Sequence, residues 1–295
     1  MCEVVMFSGS HVAIVTPFRN GRVDERALGD LIEFQIANGT DGIVPCGTTG
    51  ESATLSHEEH KLVVAFTIEA AKRRVPVIAG SGSNSTEEAI ALTRHAKVAG
   101  ADGALLITPY YNKPTQEGLF RHYKAVAEAV DLPLVLYNIP GRTSVNMLPA
   151  TVARLTAVRN IAAIKEGSGS LQQVSEIVKA CGERIVVLSG DDALTLPMMA
   201  VGAKGVITVT ANIAPADMAA MVDACVAGRH GEARQLHYKM HDLFNALFLE
   251  TNPIPVKEAL AMMGKIDGEL RLPLTPMSTE NRDKLAKVIK DYGLM

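Results

Sequence analysis

A lysine inside an apolar, strand-like run is the residue whose type and position most directly suggest chemistry. Lys165 follows residues 161–164 (IAAI), and on a period of two it shares the face of Ile161 and Ala163. Burial disfavours the charged ammonium and lowers the pKa of lysine, so more of the amine is neutral at pH 7. Because a neutral amine attacks carbonyl carbons to form a Schiff base, Lys165 is the candidate nucleophile.

Nearby strand ends supply the other groups that an imine mechanism needs. Tyr137 ends the preceding predicted strand, where its phenol could move protons. Thr48 and Thr49 lie in a glycine-bounded turn whose hydroxyl and N–H groups suit a carboxylate. Arg142 offers a bidentate fork for a second carboxylate.

Each of these residues also has a purely structural interpretation. Lys165 could pair with Glu166 or Asp191, and Tyr137 could be a core aromatic residue with a satisfied hydroxyl. The Thr-Thr turn could cap a helix, and the arginine could be solvated in a loop. It is the combination of all four that favours the imine mechanism.

Other chemistries are less well supported. Asp191 and Asp192 follow the seventh predicted strand and would repel phosphate, so the expected substrate is a small unphosphorylated keto acid. His57 and His60 stand three apart on a predicted helix without an acidic strand end nearby, so we expect no metal site.

The elements that position these residues alternate regularly. Continuous rather than alternating apolarity marks strands buried on both faces, and eight strand–helix repeats predict an α/β (β/α)8 TIM barrel with its active site at the carboxyl ends of the strands. An open doubly wound sheet is disfavoured because residues 16–19 (TPFR) are not a glycine-rich nucleotide turn. The predicted strands are residues 11–18, 42–47, 76–82, 103–110, 133–140, 161–167, 184–191 and 205–212.

Helical patterns fill the segments between strands and continue past the barrel. A capping box at residues 56–59 (SHEE) opens one of them. We expect a barrel over residues 1–228 and a C-terminal helical extension, residues 229–295, packed on it. The predicted helices are residues 24–38, 56–71, 85–99, 115–130, 231–249, 256–263 and 278–291.

Composition and hydropathy argue against a nucleic-acid-binding protein, a membrane protein and a secreted protein. The 295 residues carry a net charge of −3 and 4% aromatic residues, which argues against a nucleic-acid partner. No apolar run reaches the roughly 18 residues that a membrane span needs, and the start of the chain does not resemble a signal peptide. We therefore expect a cytoplasmic protein with reduced thiols at its four cysteines, which are Cys2, Cys46, Cys181 and Cys225.

Four motifs resemble those of the 4-hydroxy-tetrahydrodipicolinate synthase (dihydrodipicolinate synthase) family. They are residues 47–51 (GTTGE), 137–142 (YNIPGR), 164–166 (IKE) and 252–257 (NPIPVK). The likeness runs from about residue 7 to residue 294, and residues 1–6 form a short extra N-terminus with no evident role. The resemblance implies a class I aldolase that condenses pyruvate with L-aspartate 4-semialdehyde on the route to diaminopimelate and lysine, with no cofactor beyond the covalent imine.

The resemblance also implies residue roles and an assembly. Lys165 would form the imine, and Tyr137, Thr48 and Tyr111 would relay protons. Tyr111 would enter from a neighbouring subunit within a homotetramer built from two tight dimers. The expected substrate-binding residues are Thr49 for the pyruvate carboxylate, Arg142 for the semialdehyde carboxylate, and Gly190 and Ile207 for the pocket wall.

In members of the family that lysine inhibits, the effector site lies at the dimer interface. The matching positions are filled with compatible residues, so L-lysine is a possible feedback inhibitor; an ordinary polar interface is the alternative. The positions are Ser52, Ala53, His57, His60, Asn84, Glu88 and Tyr110.

Two other functions compete with the synthase. N-acetylneuraminate lyases and 2-keto-3-deoxy sugar acid aldolases share the lysine and tyrosine but usually depart at the Thr-Thr turn and at the position of Arg142. A barrel that binds a keto acid as a sensor without turnover is the third possibility, against which the intact Lys-Tyr-Thr set argues.

Overall fold

The computed structural model describes residues 7–295, so the extra N-terminus and Cys2 lie outside the described residues. Ten strands are present in this range. They are β1 (Gly9–Ala13), β2 (Phe18–Arg19), β3 (Arg22–Val23), β4 (Gly42–Val44), β5 (Ile78–Gly80), β6 (Gly103–Ile107), β7 (Leu134–Asn138), β8 (Ile161–Glu166), β9 (Val186–Ser189) and β10 (Gly205–Thr208).

Eight of these strands form a parallel barrel. Each barrel strand pairs with the next one along the chain, and β10 pairs with β1. A parallel bridge between Ile43 and Val77 joins β4 to β5, where the Ile43 N–H donates to the Pro76 carbonyl at 3.0 Å. The ring of strands is therefore continuous, and the predicted barrel fold is confirmed.

Twelve α-helices accompany the strands. They are α1 (Glu25–Ala37), α2 (His57–Ala71), α3 (Thr86–Ala99), α4 (Gln116–Ala129), α5 (Pro140–Thr143), α6 (Pro149–Leu155), α7 (Leu171–Cys181), α8 (Thr195–Ala200), α9 (Pro215–Val226), α10 (His230–Ala246), α11 (Ile254–Met262) and α12 (Thr279–Tyr292). The capping box is present at the start of α2, with Ser56 and Glu59 bonding each other's backbone N–H groups.

The first predicted strand was too long. Its ladder ends at Ala13, and Phe18 instead pairs with Val23 in the small antiparallel hairpin β2–β3, which the sequence did not predict. Pro17 lies between the two and has no N–H to donate, which explains why the barrel strand cannot continue through it.

The C-terminal helices pack together and onto the last barrel helix. Helix α10 packs on α9, and α12 packs on both α10 and α11. All three overlap the helices predicted there. The division of the chain at residues 228 and 229 stays a prediction.

Apolar side chains form two layers on either side of the barrel wall. The larger layer fills the space between strands and helices, and the smaller one fills the barrel, from Phe7 beside the start of β6 up to Tyr137 near the end of β7. Parallel strands covered on both faces require this arrangement.

One strand breaks the expected alternation. Leu134 of β7 pairs with Ile161, but the next residue, Val135, pairs with Ala163, so Ala162 is a bulge. Ala163 and Lys165 therefore face the barrel interior, whereas Ile161 packs in the outer layer. The prediction that Ile161 shares the face of Lys165 is wrong for this reason.

Candidate active site

The predicted nucleophile lies inside the mouth of the barrel. Lys165 is the second-last residue of β8, directly paired with Tyr137 on β7 and Leu188 on β9. Its side chain is 6% exposed, and its Nζ lies 4.4 Å from the centre of the Tyr137 ring. The amine and the phenol ring are thus in direct contact in the interior of the barrel.

Burial changes the protonation equilibrium of this lysine. Desolvation lowers the pKa of Lys165 most strongly, the charge of Asp192 raises it and the positive charge of Arg142 lowers it, and together these effects bring the pKa to about 8. At pH 7 about a tenth of such an amine is neutral, several hundred times more than for an exposed lysine. This is the property that a Schiff-base lysine needs.

Neither acid that could have made Lys165 a structural residue is free to do so. Glu166 accepts hydrogen bonds from the side chains of Asn138 and Gln173 and from the backbone of Ser168. Asp191 caps the short helical turn that follows it, where its carboxylate accepts from two backbone N–H groups.

The acid that influences Lys165 is Asp192, which sequence reasoning considered only as a barrier to phosphate. Asp192 is buried, and its Oδ2 accepts hydrogen bonds from the Thr210 N–H at 2.7 Å and the Thr210 hydroxyl at 2.6 Å. Burial raises the pKa of Asp192, and the hydrogen bonds and the Lys165 charge counteract this rise.

Tyr137 contacts the Thr-Thr turn as well as the lysine. Burial raises the pKa of its phenol above the ordinary value, while the charge of Arg142 and a hydrogen bond with Thr48 act in the opposite direction. The phenol therefore carries its proton at neutral pH and is able to donate it. Thr48 and Tyr137 also line the same small cavity, about 40 Å³ in volume.

The Thr-Thr turn follows β4 and is held from several sides. The Thr16 hydroxyl donates to the Gly50 carbonyl at 2.7 Å, and the Asn252 side-chain amide donates to the Thr49 hydroxyl at 2.9 Å. Arg142, on α5, donates from Nη2 to the Asn252 carbonyl at 3.1 Å. Asn252 thus links two residues that were predicted to bind different carboxylates.

Two further predicted residues lie on or directly after the neighbouring strands β10 and β9. Ile207 lies on β10 and belongs to the apolar layer inside the barrel. Gly190 follows β9, and a Cβ there would lie 3.0 Å from the Gly167 Cα and 3.1 Å from the Glu166 carbonyl oxygen. No larger residue fits at this position without moving the end of β8.

Tyr111 does not join the other catalytic candidates within one chain. It lies in the loop after β6, 89% exposed, with a left-handed backbone (φ +72°). Left-handed residues other than glycine are uncommon and concentrate where the surrounding structure needs them.

Most of the predicted effector residues line a single cavity at the barrel mouth. Its volume is about 450 Å³, and Thr48 and Arg142 line it too. Asn84 does not line it; its amide donates to the Tyr110 carbonyl at 3.2 Å. The predicted effector residues around the cavity are Ser52, Ala53, His57, His60, Glu88 and Tyr110.

Glu88 is one of the charged residues that line this cavity. Its Oε1 lies 2.8 Å from the His57 Nε2, and its other oxygen accepts from the Ser83 hydroxyl. These contacts lower the pKa of Glu88, so it is ionised at neutral pH. Burial lowers the pKa of His60 to about 4, so that imidazole is neutral there.

The described residues contain neither a candidate metal cluster nor a helix suited to a membrane. Within residues 7–295, no group of three or more His, Cys, Asp or Glu side chains is arranged to hold a metal ion. Among the helices of that same range, none combines the length and apolarity required to cross a membrane.

Comparison with known proteins covers nearly the whole chain. The profile of the Dihydrodipicolinate synthetase family matches residues 6–292. The 4-hydroxy-tetrahydrodipicolinate synthase of Geotalea uraniireducens is 65% identical, across 98% of this chain and 100% of the relative.

Solved structures show the same fold. A chloride-inhibited dihydrodipicolinate synthase from Acinetobacter baumannii, complexed with pyruvate, has a TM-score of 0.96 and 50% identity, covering 98% of this chain and 99% of that one. The enzyme from Cyanidioschyzon merolae, with lysine bound, has a TM-score of 0.96 and 41% identity, with the same coverage.

These relatives confirm the predicted fold, lyase class and biosynthetic family, and they favour the synthase over the two competing aldolases. The chain belongs to the dihydrodipicolinate synthetase family.

Proposed function

We propose that this protein condenses pyruvate with L-aspartate 4-semialdehyde to give 4-hydroxy-tetrahydrodipicolinate, through an imine on Lys165. The observation that carries the proposal is the position of Lys165, buried in the barrel mouth beside Tyr137 with a pKa lowered to about 8. Membership of the family supports the choice of substrates.

The first half of the reaction captures pyruvate. The neutral Lys165 amine attacks C2 while Thr49 holds the carboxylate, and Gly190 and Ile207 line the methyl side. Tyr137 then donates a proton to the departing hydroxyl, so water leaves and the protonated imine forms. Tyr137 is then a phenolate, which the hydrogen bond with Thr48 stabilises and which is the base for the next step.

The second half forms the new carbon–carbon bond. The protonated imine withdraws electrons, so C3 gives a proton to the Tyr137 phenolate and becomes the nucleophilic carbon of an enamine. That carbon attacks the aldehyde of the second substrate, whose carboxylate Arg142 binds in a bidentate manner, and Tyr137 protonates the alkoxide that forms. The substrate amine then attacks C2, closes the ring and releases Lys165. The enzyme's own amine acts as the electron sink, so the proposed mechanism uses no cofactor.

The proton relay requires a second chain in this proposal. Tyr111 is 89% exposed in the single chain and has a left-handed backbone, which supports a role in the site of a neighbouring subunit. We infer a homotetramer made of two tight dimers, in which the dimer partner completes each relay.

We also propose that L-lysine binds the cavity at the barrel mouth as an inhibitor. Glu88 supplies a carboxylate for an ammonium group, and His57 and Tyr110 supply polar contacts. The lysine-bound relative supports this assignment.

We further propose a cytoplasmic location, which the free thiols of Cys46 and the other described cysteines support.

A substrate comparison tests the proposed reaction. The purified protein is assayed for pyruvate consumption with L-aspartate 4-semialdehyde, and for cleavage of N-acetylneuraminate and of a 2-keto-3-deoxy sugar acid. We expect turnover with the semialdehyde and far slower reaction with both sugar acids. Preferred cleavage of either sugar acid would assign the chain to that aldolase instead, and binding of pyruvate without any turnover would indicate the sensor.

A further inference from the structure

The motif at residues 252–257 has no assigned role in the reaction, yet it contacts the site. Asn252 is 5% exposed, and its amide donates to the Thr49 hydroxyl at 2.9 Å. Its backbone carbonyl accepts from Arg142 Nη2 at 3.1 Å. One residue therefore lies between the two side chains to which the proposed function gives the two substrate carboxylates.

The segment that carries Asn252 is fixed to the Thr-Thr turn at a second point. Lys257, on α11, is fully buried, and its Nζ donates to Glu51 at 2.6 Å and to the Thr16 carbonyl at 3.0 Å. Glu51 ends the turn and has a left-handed backbone (φ +52°), and its second oxygen accepts from the Arg271 N–H. The C-terminal segment and the turn are thus joined at two points, through Asn252 and through Lys257.

The direction of the Asn252–Thr49 hydrogen bond determines what the hydroxyl can do. A threonine hydroxyl has one hydrogen to donate and two lone pairs to accept with. Because the Asn252 amide donates to one lone pair, the Thr49 hydrogen remains available for another acceptor. The Asn252 Oδ1 is buried without a hydrogen-bond partner among the described residues, an arrangement that costs stability and calls for an explanation.

We propose that Asn252 is a positioning residue that keeps the Thr49 hydroxyl oriented as a donor to the carboxylate of the 2-oxo acid. This inference rests on the proposed function, because it gives Thr49 the pyruvate carboxylate. Asparagine is suited to the task because its Nδ2 group, which faces the hydroxyl, can donate but cannot accept. An aspartate of the same shape would instead accept the Thr49 hydrogen and place a negative charge beside the carboxylate site.

The test compares imine formation with pyruvate and with pyruvamide, its uncharged analogue. Imines are trapped with borohydride over a range of ligand concentrations, without the second substrate. We expect Asn252→Asp to raise the half-saturating pyruvate concentration about tenfold or more, the size expected for losing a hydrogen bond to a charged group, with a much smaller change for pyruvamide.

A second variant covers the case in which the aspartate variant does not fold. Asn252→Ala should raise the half-saturating pyruvate concentration about threefold, in keeping with the loss of a neutral hydrogen bond, and should add nothing in a Thr49→Val background. The control is Asn160→Ala, directly before β8 at the other end of the barrel, which removes hydrogen bonds to three carbonyls that precede β7. Asn160→Ala should leave the preference for pyruvate over pyruvamide unchanged.

The outcomes separate this inference from the proposed function. If the wild-type protein traps no pyruvate, the proposed function fails. If it does, but Asn252→Asp keeps the wild-type preference for pyruvate over pyruvamide, the positioning role is wrong. An effect of Asn252→Ala that is undiminished in the Thr49→Val background would also overturn it.

Discussion

The reactivity of Lys165 follows from its surroundings rather than from its residue type. Burial and the charge of Arg142 lower the pKa of the amine, and Asp192 keeps it from falling further. The balance of these three effects places the pKa at about 8, about one unit above neutral pH. Only the neutral amine attacks a ketone, so pH and nearby charge should control the rate of imine formation.

This balance gives a testable pH dependence. Imine formation with pyruvate should rise as the pH increases through about 8, because Lys165 then loses its proton. In Arg142→Gln the cation that lowers this pKa is absent, so the midpoint of the curve of rate against pH should move to higher pH. The measurement is the initial rate of borohydride-trapped adduct against pH.

Arg154→Gln is the matched control, since this arginine lies on α6 and pairs with Glu117 at the surface. Its midpoint should equal that of the wild-type protein. A rate that does not change between about pH 6 and pH 9, or the same midpoint for Arg142→Gln and wild type, would contradict the account of Lys165.

At the residue scale, the sequence allowed us to predict functional side chains near the ends of strands. It did not allow us to predict which residues, far away in the chain, contact them. Lys165 and Tyr137 could be found because each ends a recognisable strand. Asn252 could not, because it is 203 positions from Thr49 and only the folded chain brings the two together.

At the scale of elements, parallel strands with continuous apolarity were predictable because both of their faces are covered. All eight barrel strands overlap predicted ones, and helix caps such as Ser56 marked helix starts correctly. The bulge at Ala162 was not predictable, since a one-residue insertion in the ladder depends on how β7 and β8 pair. The hairpin β2–β3 was missed because each of its strands has only two residues.

The ion pair that joins α11 to the Thr-Thr turn gives a prediction at this scale. Lys257→Met should lower the free energy of unfolding by about 3–5 kcal/mol, because it leaves the buried Glu51 carboxylate without its partner. Adding Glu51→Gln should recover part of the loss, since the unpaired charge is then removed. Thermal unfolding measures both effects.

The control for this prediction is Lys284→Met on α12, where the lysine pairs with Glu280 at the surface. An exposed pair of this kind contributes little, so the melting temperature should change little. Equal losses for Lys257→Met and Lys284→Met would show that the buried pair does not stabilise the turn.

At the scale of the whole molecule, one cavity contains both predicted active-site residues and predicted effector residues. Thr48 and Arg142 line it together with His57 and Glu88, so a ligand at one end lies close to the substrate entrance. Tyr111 lies at the same end of the barrel and is exposed in the single chain. We propose that it enters the site of a partner chain. Sequence patterns cannot show such continuity, because the residues come from loops of different strands.

The cavity predicts inhibition by L-lysine that depends on Glu88. Millimolar L-lysine should inhibit the condensation, and Glu88→Gln should raise the half-inhibitory concentration at least tenfold by removing the carboxylate that pairs with an ammonium group. Glu87→Gln is the control, because it makes the same charge change at the next position of α3, where the side chain is exposed. No inhibition by lysine, or equal effects of the two variants, would reject the effector site.

The proposed homotetramer can be tested by measuring the mass of the assembly. Four chains of 31.4 kDa give about 126 kDa, the mass that native mass spectrometry should detect if the protein is a homotetramer. A monomer that is fully active would contradict the proposal that Tyr111 completes a neighbour's site.

The central claim is that the buried amine of Lys165 captures pyruvate covalently. The most direct measurement is borohydride reduction of the protein with pyruvate, followed by peptide mass spectrometry of the wild-type chain and of Lys165→Ala. We expect the reduced pyruvate adduct on the peptide that contains Lys165, and no adduct in the variant. An unmodified Lys165 peptide, or equal trapping by folded Lys165→Ala, would contradict the account.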